Sequence, residues 1–141
     1  MHSSQHFVTV GLRFVEAFNK GDIEACVELL HPEIEWYANN RYSDSETHIG
    51  TKDVTLYLES LYGHLDEPRM EPEDGFQIGD HVMLINRLRG KGTLAGHEVL
   101  ERYNWVVLID EDKFRRVITY PTPAEARRAL EAAAARSSGT L

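Results

Sequence analysis

One cysteine in 141 residues cannot close an internal disulfide, and no pair of Cys or His residues has the spacing of a zinc site. That scarcity fits a reducing compartment, so a cytoplasmic protein is expected. Basic side chains are also in short supply: 15 against 23 acidic ones leave a formal charge of −8. Such a balance argues against phosphate-backbone binding to nucleic acid and disfavours an anionic membrane surface. No apolar run approaches the roughly 18–20 residues a membrane span needs. The start, Met1-His-Ser-Ser-Gln-His-Phe7, lacks a basic stretch followed by an apolar one, so no export signal is expected. No glycine-rich phosphate cradle is present either, because Gly90-Lys-Gly92 reads as the approach to a hairpin, and no cofactor is expected. The seven histidines are scattered. Only His2 and His6 stand at i, i+4, near a fraying end, so no metal site is predicted.

What is present is enough for one folded domain over residues 1–141, ordered over about 5–136, with 42% hydrophobic and 27% charged residues. Phe7, Val10, Phe14, Val15 and Phe18 fall on one face of a helix over 5–19, which Gly21 ends. Asp22 caps a second short helix carrying Ile23, Cys26, Val27 and Leu30, stopped by Pro32. Residues 33–38 then read as a strand and 39–50 as a polar loop. Thr51 and Asp53 open a third helix to about residue 64, with Val54, Leu58, Leu61 and Leu65 as its stripe. Beyond Pro68 and Pro72 the texture becomes β, in runs over 70–78, 82–90, 99–109 and 114–120 separated by short breaks. Short breaks favour antiparallel hairpins. Thr122-Pro-Ala-Glu125 combines an N-cap, a proline at the first helical position and an acidic third position, and starts a closing helix to about residue 136. The fold class is therefore α+β, a strongly curved, mostly antiparallel sheet with helices before and after it.

The segments Phe14-Val-Glu-Ala-Phe-Asn-Lys-Gly-Asp22, Leu30-His-Pro-Glu-Ile-Glu-Trp36 and Glu71-Pro-Glu-Asp-Gly-Phe-Gln-Ile-Gly-Asp80 resemble the SnoaL-like branch of the nuclear transport factor 2-like superfamily. Arg87-Leu-Arg-Gly-Lys-Gly92, Glu101-Arg-Tyr-Asn-Trp-Val-Val107 and Ala124-Glu-Ala-Arg-Arg-Ala-Leu130 extend the likeness over about the whole chain. The resemblance implies a cone, a cystatin-like roll in which the bent sheet wraps the N-terminal helices around a cavity, and commonly a dimer through the outer sheet face. It does not deliver a function, since isomerases, cyclases, hydrolases and non-catalytic proteins share the fold. Matched to ketosteroid isomerase, the oxyanion tyrosine falls on Phe14, the base carboxylate on Ala38 and the oxyanion acid on Asn104. None of these three can move a proton at neutral pH. Matched to limonene epoxide hydrolase, the arginine carries over onto Arg102, while its partner acid falls on Asn104 and the second acid near Thr119.

Alternation along 99–109 separates Leu100, Arg102, Asn104, Val106 and Leu108 from Glu101, Tyr103, Trp105 and Val107. The resemblance assigns the first set to the cavity, where Arg102, Asn104 and Asn86 would form a polar group in an apolar wall made by Val117, Thr119, Trp36, Phe14 and Ala38. A few convergent polar groups in an apolar pocket are the usual form of a small-molecule site. Each has a plainer reading. Arg102 could instead be neutralised by a carboxylate or reach solvent, the two asparagines could be amides satisfied by backbone, and Trp36 could be core. His48, in the loop over the cavity, and His97 beside Glu98 are candidate general bases. Tyr57, Tyr62 and Cys26 read as packing residues. The second set, with Ile109, Ile118 and Tyr120, is too apolar for water and is expected to form a homodimer interface through Tyr103, Trp105 and Val107. The expected partner is a small apolar organic ligand, with catalysis of the cyclase, isomerase or hydrolase type open. The competing reading is a catalytically silent, homodimeric interaction domain.

Overall fold

The computed structural model describes residues 6–38, 47–92 and 96–138. Helix α1 (His6–Asn19) forms on the expected stripe and buries Val10, Phe14, Val15 and Phe18. Gly21 then turns the chain with φ of +70°, a conformation that costs glycine nothing. Asp22 accepts the Ala25 N–H at 3.0 Å and caps α2 (Ile23–Glu28). Strand β1 (Leu30–Tyr37) starts three residues before the predicted strand and takes in His31 and Pro32. Proline fits there because the pairing of β1 with its parallel neighbour is irregular between Leu30 and Glu35.

Strand β2 (Thr47–Ile49) lies inside the predicted loop, pairing Trp36 with His48 and Tyr37 with Thr47. Residues 39–46, most of the segment expected to be a loop, fall outside the described residues. Helix α3 (Gly50–His64) runs as predicted, but Leu65 belongs to the next strand, not to the helical stripe. Strand β3 (Leu65–Ile78) begins well before the predicted start. Pro68 and Pro72 suggest a loop, yet β3 is a sheet edge and its pairing shifts register at 66/69 and 72/74, where proline's missing N–H is tolerated. Strands β4 (His81–Gly92), β5 (Glu98–Asp110) and β6 (Lys113–Tyr120) follow, and α4 (Pro123–Ser138) closes the described chain. Thr122 accepts the Glu125 N–H at 3.1 Å, the predicted cap. No helix among the described residues is long and apolar enough to cross a membrane.

The six strands among the described residues form one curved sheet in the order β2-β1-β6-β5-β4-β3, antiparallel except for β1 against β6. Helices α1–α3 pack on one face with Trp36, Leu84, Leu88, Trp105, Val107, Phe114 and Val117. Two devices hold α1 down. Gly11 lets the helix approach so closely that an added Cβ would stand 2.4 Å from Leu84 Cδ1. Asn19, at the helix end, donates to the Met70 carbonyl (2.8 Å) and accepts the Met70 N–H (2.7 Å), completing the backbone bonding of β3.

The opposite sheet face is also covered. Ala126 and Leu130 of α4 pack on Met83, Ile85 and Val106, with Tyr120 beside them. This second layer corrects the predicted faces of β5. Asn86 pairs with Tyr103, and Ile85 with Asn104. Directly paired residues share a face, so Tyr103, Trp105 and Val107 point into the core, while Arg102 and Asn104 point away from it. Trp105 is 2% exposed and Val107 fully buried, so the expected dimer interface through Tyr103, Trp105 and Val107 is instead the inside of the cone.

Candidate functional site

The base of the interior is solid aromatic packing. Phe14 stacks on Phe114 at 4.9 Å, and Trp36 meets Trp105 edge-on at 5.2 Å, with Phe14 between the two indoles at 5.7 and 6.2 Å. All four are essentially buried. Phe14, at the position of a catalytic tyrosine in the ketosteroid isomerase match, is here part of this floor. Ala38 is half-buried against the same cluster, and Val117 and Thr119 share the face, directly opposite Val107 and Trp105. Above Trp105, Tyr103 stacks on it at 6.1 Å. Tyr57 of α3 lies 5.9 Å from Trp36 and stacks on His48 at 4.6 Å.

The same face of the sheet carries polar atoms that have no partner among the described residues. Asn86 is wholly buried, and neither its amide nitrogen nor its oxygen has a partner among the described residues. The Trp36 indole N–H and His48 Nε2 are likewise buried and unpartnered. Tyr103 is in hydrogen-bonding contact with Tyr57 and Glu101, and burial first, then these neighbours, push its phenol far above the ordinary tyrosine value. It is therefore a neutral group whose one proton is engaged by these neighbours, and it does not act as a base near neutral pH. Buried polar groups are nearly always paired in a folded protein. Asn86, Trp36 and His48 thus carry unpaired polar atoms on the sheet face that α1–α3 cover, while His81 Nδ1 and Asn104 Oδ1, elsewhere in the fold, also have no hydrogen-bond partner among the described residues.

His48 has a second connection. Its Nδ1 faces Asp53 Oδ1 at 3.5 Å, and the other oxygen of Asp53 accepts the Ile49 N–H at 3.2 Å. The short β2 strand sets this arrangement by pairing His48 with Trp36, which directs both side chains to the interior face.

The remaining predicted residues lie elsewhere. Arg102 is exposed and bound to Glu73 through two contacts, Nε at 3.0 Å and Nη2 at 3.4 Å, and Arg87 joins the same carboxylate at 2.9 Å. This is the neutralised-arginine alternative, on the outer face. Asn104 is buried against the α4 side and donates to the Tyr120 carbonyl at 3.1 Å, with its oxygen unpartnered. His97 is exposed. Cys26 is a core residue whose thiol is pushed up to about 12, by burial first and Asp22 second. Tyr62 donates to the Phe18 carbonyl and stacks on Phe18.

A metal was not expected from the sequence, but His31, Asp110 and Glu111 bring ligand atoms within 4.8 Å of one another. The imidazole argues against coordination. Its Nδ1 accepts the Glu33 N–H at 3.0 Å, which leaves Nε2 protonated and facing Asp110 and Glu111 at 3.6 and 3.4 Å. A metal at Nε2 would need the proton on Nδ1 and would break that backbone bond.

The interior residues that sequence reasoning assigned outward or to packing are Tyr103, Trp105 and Tyr57. The hairpin register, which the sequence does not carry, is what places the first two. With Asn86 placed inside, its hairpin partner must also be inside, and the closing pair Gly92–His97 (2.8 Å) makes that partner Tyr103, not Asn104.

The SnoaL-like domain family model matches residues 12–117. Among curated proteins none matches. Solved structures of the same fold include a cystatin-fold protein from Novosphingobium aromaticivorans, at 19% identity and TM-score 0.70, with 81% of this chain and 97% of that one covered. A Mycobacterium tuberculosis protein in complex with estradiol-17beta-hemisuccinate has 12% identity and TM-score 0.72, over 83% and 94% of the two chains. A Catenulispora acidiphila protein with a ketosteroid isomerase-like fold, in complex with trimethylamine, has 10% identity and TM-score 0.70, over 86% and 92%. At these identities the likeness is one of fold.

Proposed function

The chain belongs to the SnoaL-like domain family, and we propose that the interior of its cone binds a small, largely apolar, uncharged organic molecule. The observation that carries this reading is Asn86, fully buried beside Tyr103 with both amide atoms unpartnered among the described residues. A primary amide presents one acceptor and two donors side by side. It matches a carbonyl, an enol or a carboxamide on a ligand. The Trp36 indole N–H adds a donor, and the rings of Tyr57, Tyr103 and Trp105 supply flat apolar contact. The arginines of the outer face do not reach this interior, so an anionic group on the ligand would lack a partner there and be heavily penalised. Two proteins of the same fold hold small molecules, estradiol-17beta-hemisuccinate in one and trimethylamine in the other, which supports a ligand-sized role for the cone. A single buried thiol needs no oxidising compartment, and we place the protein in the cytoplasm on that basis.

Native mass spectrometry of protein isolated gently from its own cells tests the proposal. An uncharged organic mass retained at one per chain by the wild type, and lost from Asn86→Leu, is expected. Protein that is empty as isolated, and stays empty against an organic extract of the same cells, would overturn it.

A further inference from the structure

We propose that His48 and Asp53 form a proton-transfer pair in which His48 Nε2 is the general base toward the molecule held in the cone. The inference rests on the ligand-binding reading and adds a reaction to it.

The geometry gives the imidazole two different ends. Nδ1 faces the Asp53 carboxylate at 3.5 Å, longer than a formed hydrogen bond, as such contacts often are before substrate binds. A carboxylate has only acceptors, so this contact favours the tautomer with hydrogen on Nδ1. The proton-free nitrogen is then Nε2, which is buried and has no partner among the described residues. Asp53 is itself held, because its second oxygen accepts the Ile49 N–H at 3.2 Å and anchors it to the start of α3. The ring cannot drift far, since it stacks on Tyr57 at 4.6 Å and sits opposite Trp36 in the β1–β2 pairing. Base, orienting carboxylate and a buried target surface are the parts that general base catalysis requires. The Asn86 amide shares the interior face and would donate to an oxygen on which negative charge develops.

The contrast with His31 sharpens the assignment. There Nδ1 is consumed by a backbone N–H, and Nε2–H turns outward to two exposed carboxylates. His31 is locked as a donor, whereas His48 is set as an acceptor facing inward. The step proposed is removal of a proton from a neutral carbon acid. The C–H bond breaks, the proton goes to His48 Nε2, and the electron pair moves onto the electron-withdrawing group of the substrate. Water later takes the proton from the imidazolium.

The first experiment reads the tautomer. Nitrogen-15 correlation spectra of the whole protein, with His48→Gln identifying the resonance, should show Nδ1–H and a bare Nε2. Asp53 is a positioning residue, so Asp53→Asn should shift the tautomer population toward Nε2–H. A wild-type His48 that carries its hydrogen on Nε2 would overturn the proposal. The second uses 5-nitrobenzisoxazole, a flat neutral probe whose C–H deprotonation forms a nitrile as the N–O bond breaks and a coloured phenolate leaves. Wild type should accelerate this elimination, His48→Gln should lose about tenfold or more in kcat with KM nearly unchanged, and Asp53→Asn should lose less. A probe that binds but reacts no faster than with free imidazole, or equally fast with His48→Gln, would overturn it. A probe that leaves the Trp36 indole N–H resonance unmoved counts against the ligand-binding reading instead, and the tautomer measurement still decides the pair.

Discussion

Replacing Asn86 with leucine removes two buried polar atoms that the chain leaves unsatisfied, and replaces them with apolar groups of similar bulk in a setting of Leu84, Leu88 and Tyr103. An unpartnered buried donor or acceptor costs about 1–3 kcal/mol. A near volume-conserving swap adds strain of less than about 1.5 kcal/mol. With about 1–2 kcal/mol for each of the two atoms and about 1 kcal/mol of strain, the net is a gain of about 1–3 kcal/mol in the ligand-free protein. With unfolding entropy near 2.1 cal/mol/K per residue, a chain of 141 residues moves by about 3 °C for each kcal/mol, so Tm should rise by about 3–10 °C. The same substitution removes the hydrogen bonds offered to a ligand, and affinity should fall by about 5-fold to 150-fold. Calorimetry of the ligand-free variant beside wild type, followed by titration with the organic mass retained by the native protein, reads both quantities. A gain in stability joined to a loss of binding is the signature of a residue kept for function at the expense of the fold. A variant whose Tm falls by several degrees would refute the reasoning, because it would show the amide to be satisfied in the native state and needed for packing.

Further measurements test the frame around the site. Asn19→Ala strips the Met70 N–H and carbonyl of their partners and should lower stability by about 1–3 kcal/mol in urea titrations; a change below about 0.5 kcal/mol would show that solvent replaces the clasp. Gly11→Ala forces the fully packed Leu84 to move and should destabilise by about 1–3 kcal/mol despite alanine's better helix propensity, with a favourable coupling to Leu84→Ala in a double-mutant cycle. The Tyr37 hydroxyl, first among the causes, holds the Glu35 carboxyl below its ordinary 4.5, against an opposing effect of burial and with help from Arg116 and Arg115. A carboxyl depressed on folding contributes stability above its unfolded value and loses it as pH falls through its folded one, so Tyr37→Phe should flatten the loss of stability below about pH 4.5. Stability curves of equal acid slope for the two proteins would contradict this. Cys26, with its thiol pushed up to about 12, should react with a disulfide reagent at neutral pH only as fast as the protein opens; a rapid native reaction would mean that the α1–α2 corner is not closed over it.

The course of the chain was legible because helical stripes and short β runs are local signals. The stripe of Phe14 and Phe18, the Asp22 and Thr122 caps and the hairpin breaks each needed only neighbours in sequence. The starts of β1 and β3 were not legible, because a proline that argues for a loop is admitted at an irregular pairing or a sheet edge, and both are properties of the partner strand. The faces of β5 failed for another reason. Alternation locates two faces without saying which is inside, and here both are apolar, since α1–α3 cover Trp105 and Val107 while α4 covers Val106. The likeness of Arg102 to a catalytic arginine then tipped the strand the wrong way.

One residue of turn parity decided the matter. Pairing Gly92 with His97 makes Asn86 the partner of Tyr103, and a hairpin one residue different would have put Arg102 and Asn104 inside in its place. The consequence is chemical as well as geometric. A cone lined by Arg102 would select an anionic ligand or hold a catalytic acid; on the reading proposed above, a cone lined by Tyr103, Trp36 and Asn86 would instead offer neutral groups, with His48 as the imidazole set to take a proton. The salt bridges of Glu73 with Arg87 and Arg102 become a feature of the outer surface, mutable with little effect on stability, as exposed ion pairs usually are. Arg102→Ala should therefore leave both ligand retention and the His48 tautomer as they are in wild type, whereas a loss of bound ligand in that variant would return the arginine to the interior and reverse the face assignment on which the site depends.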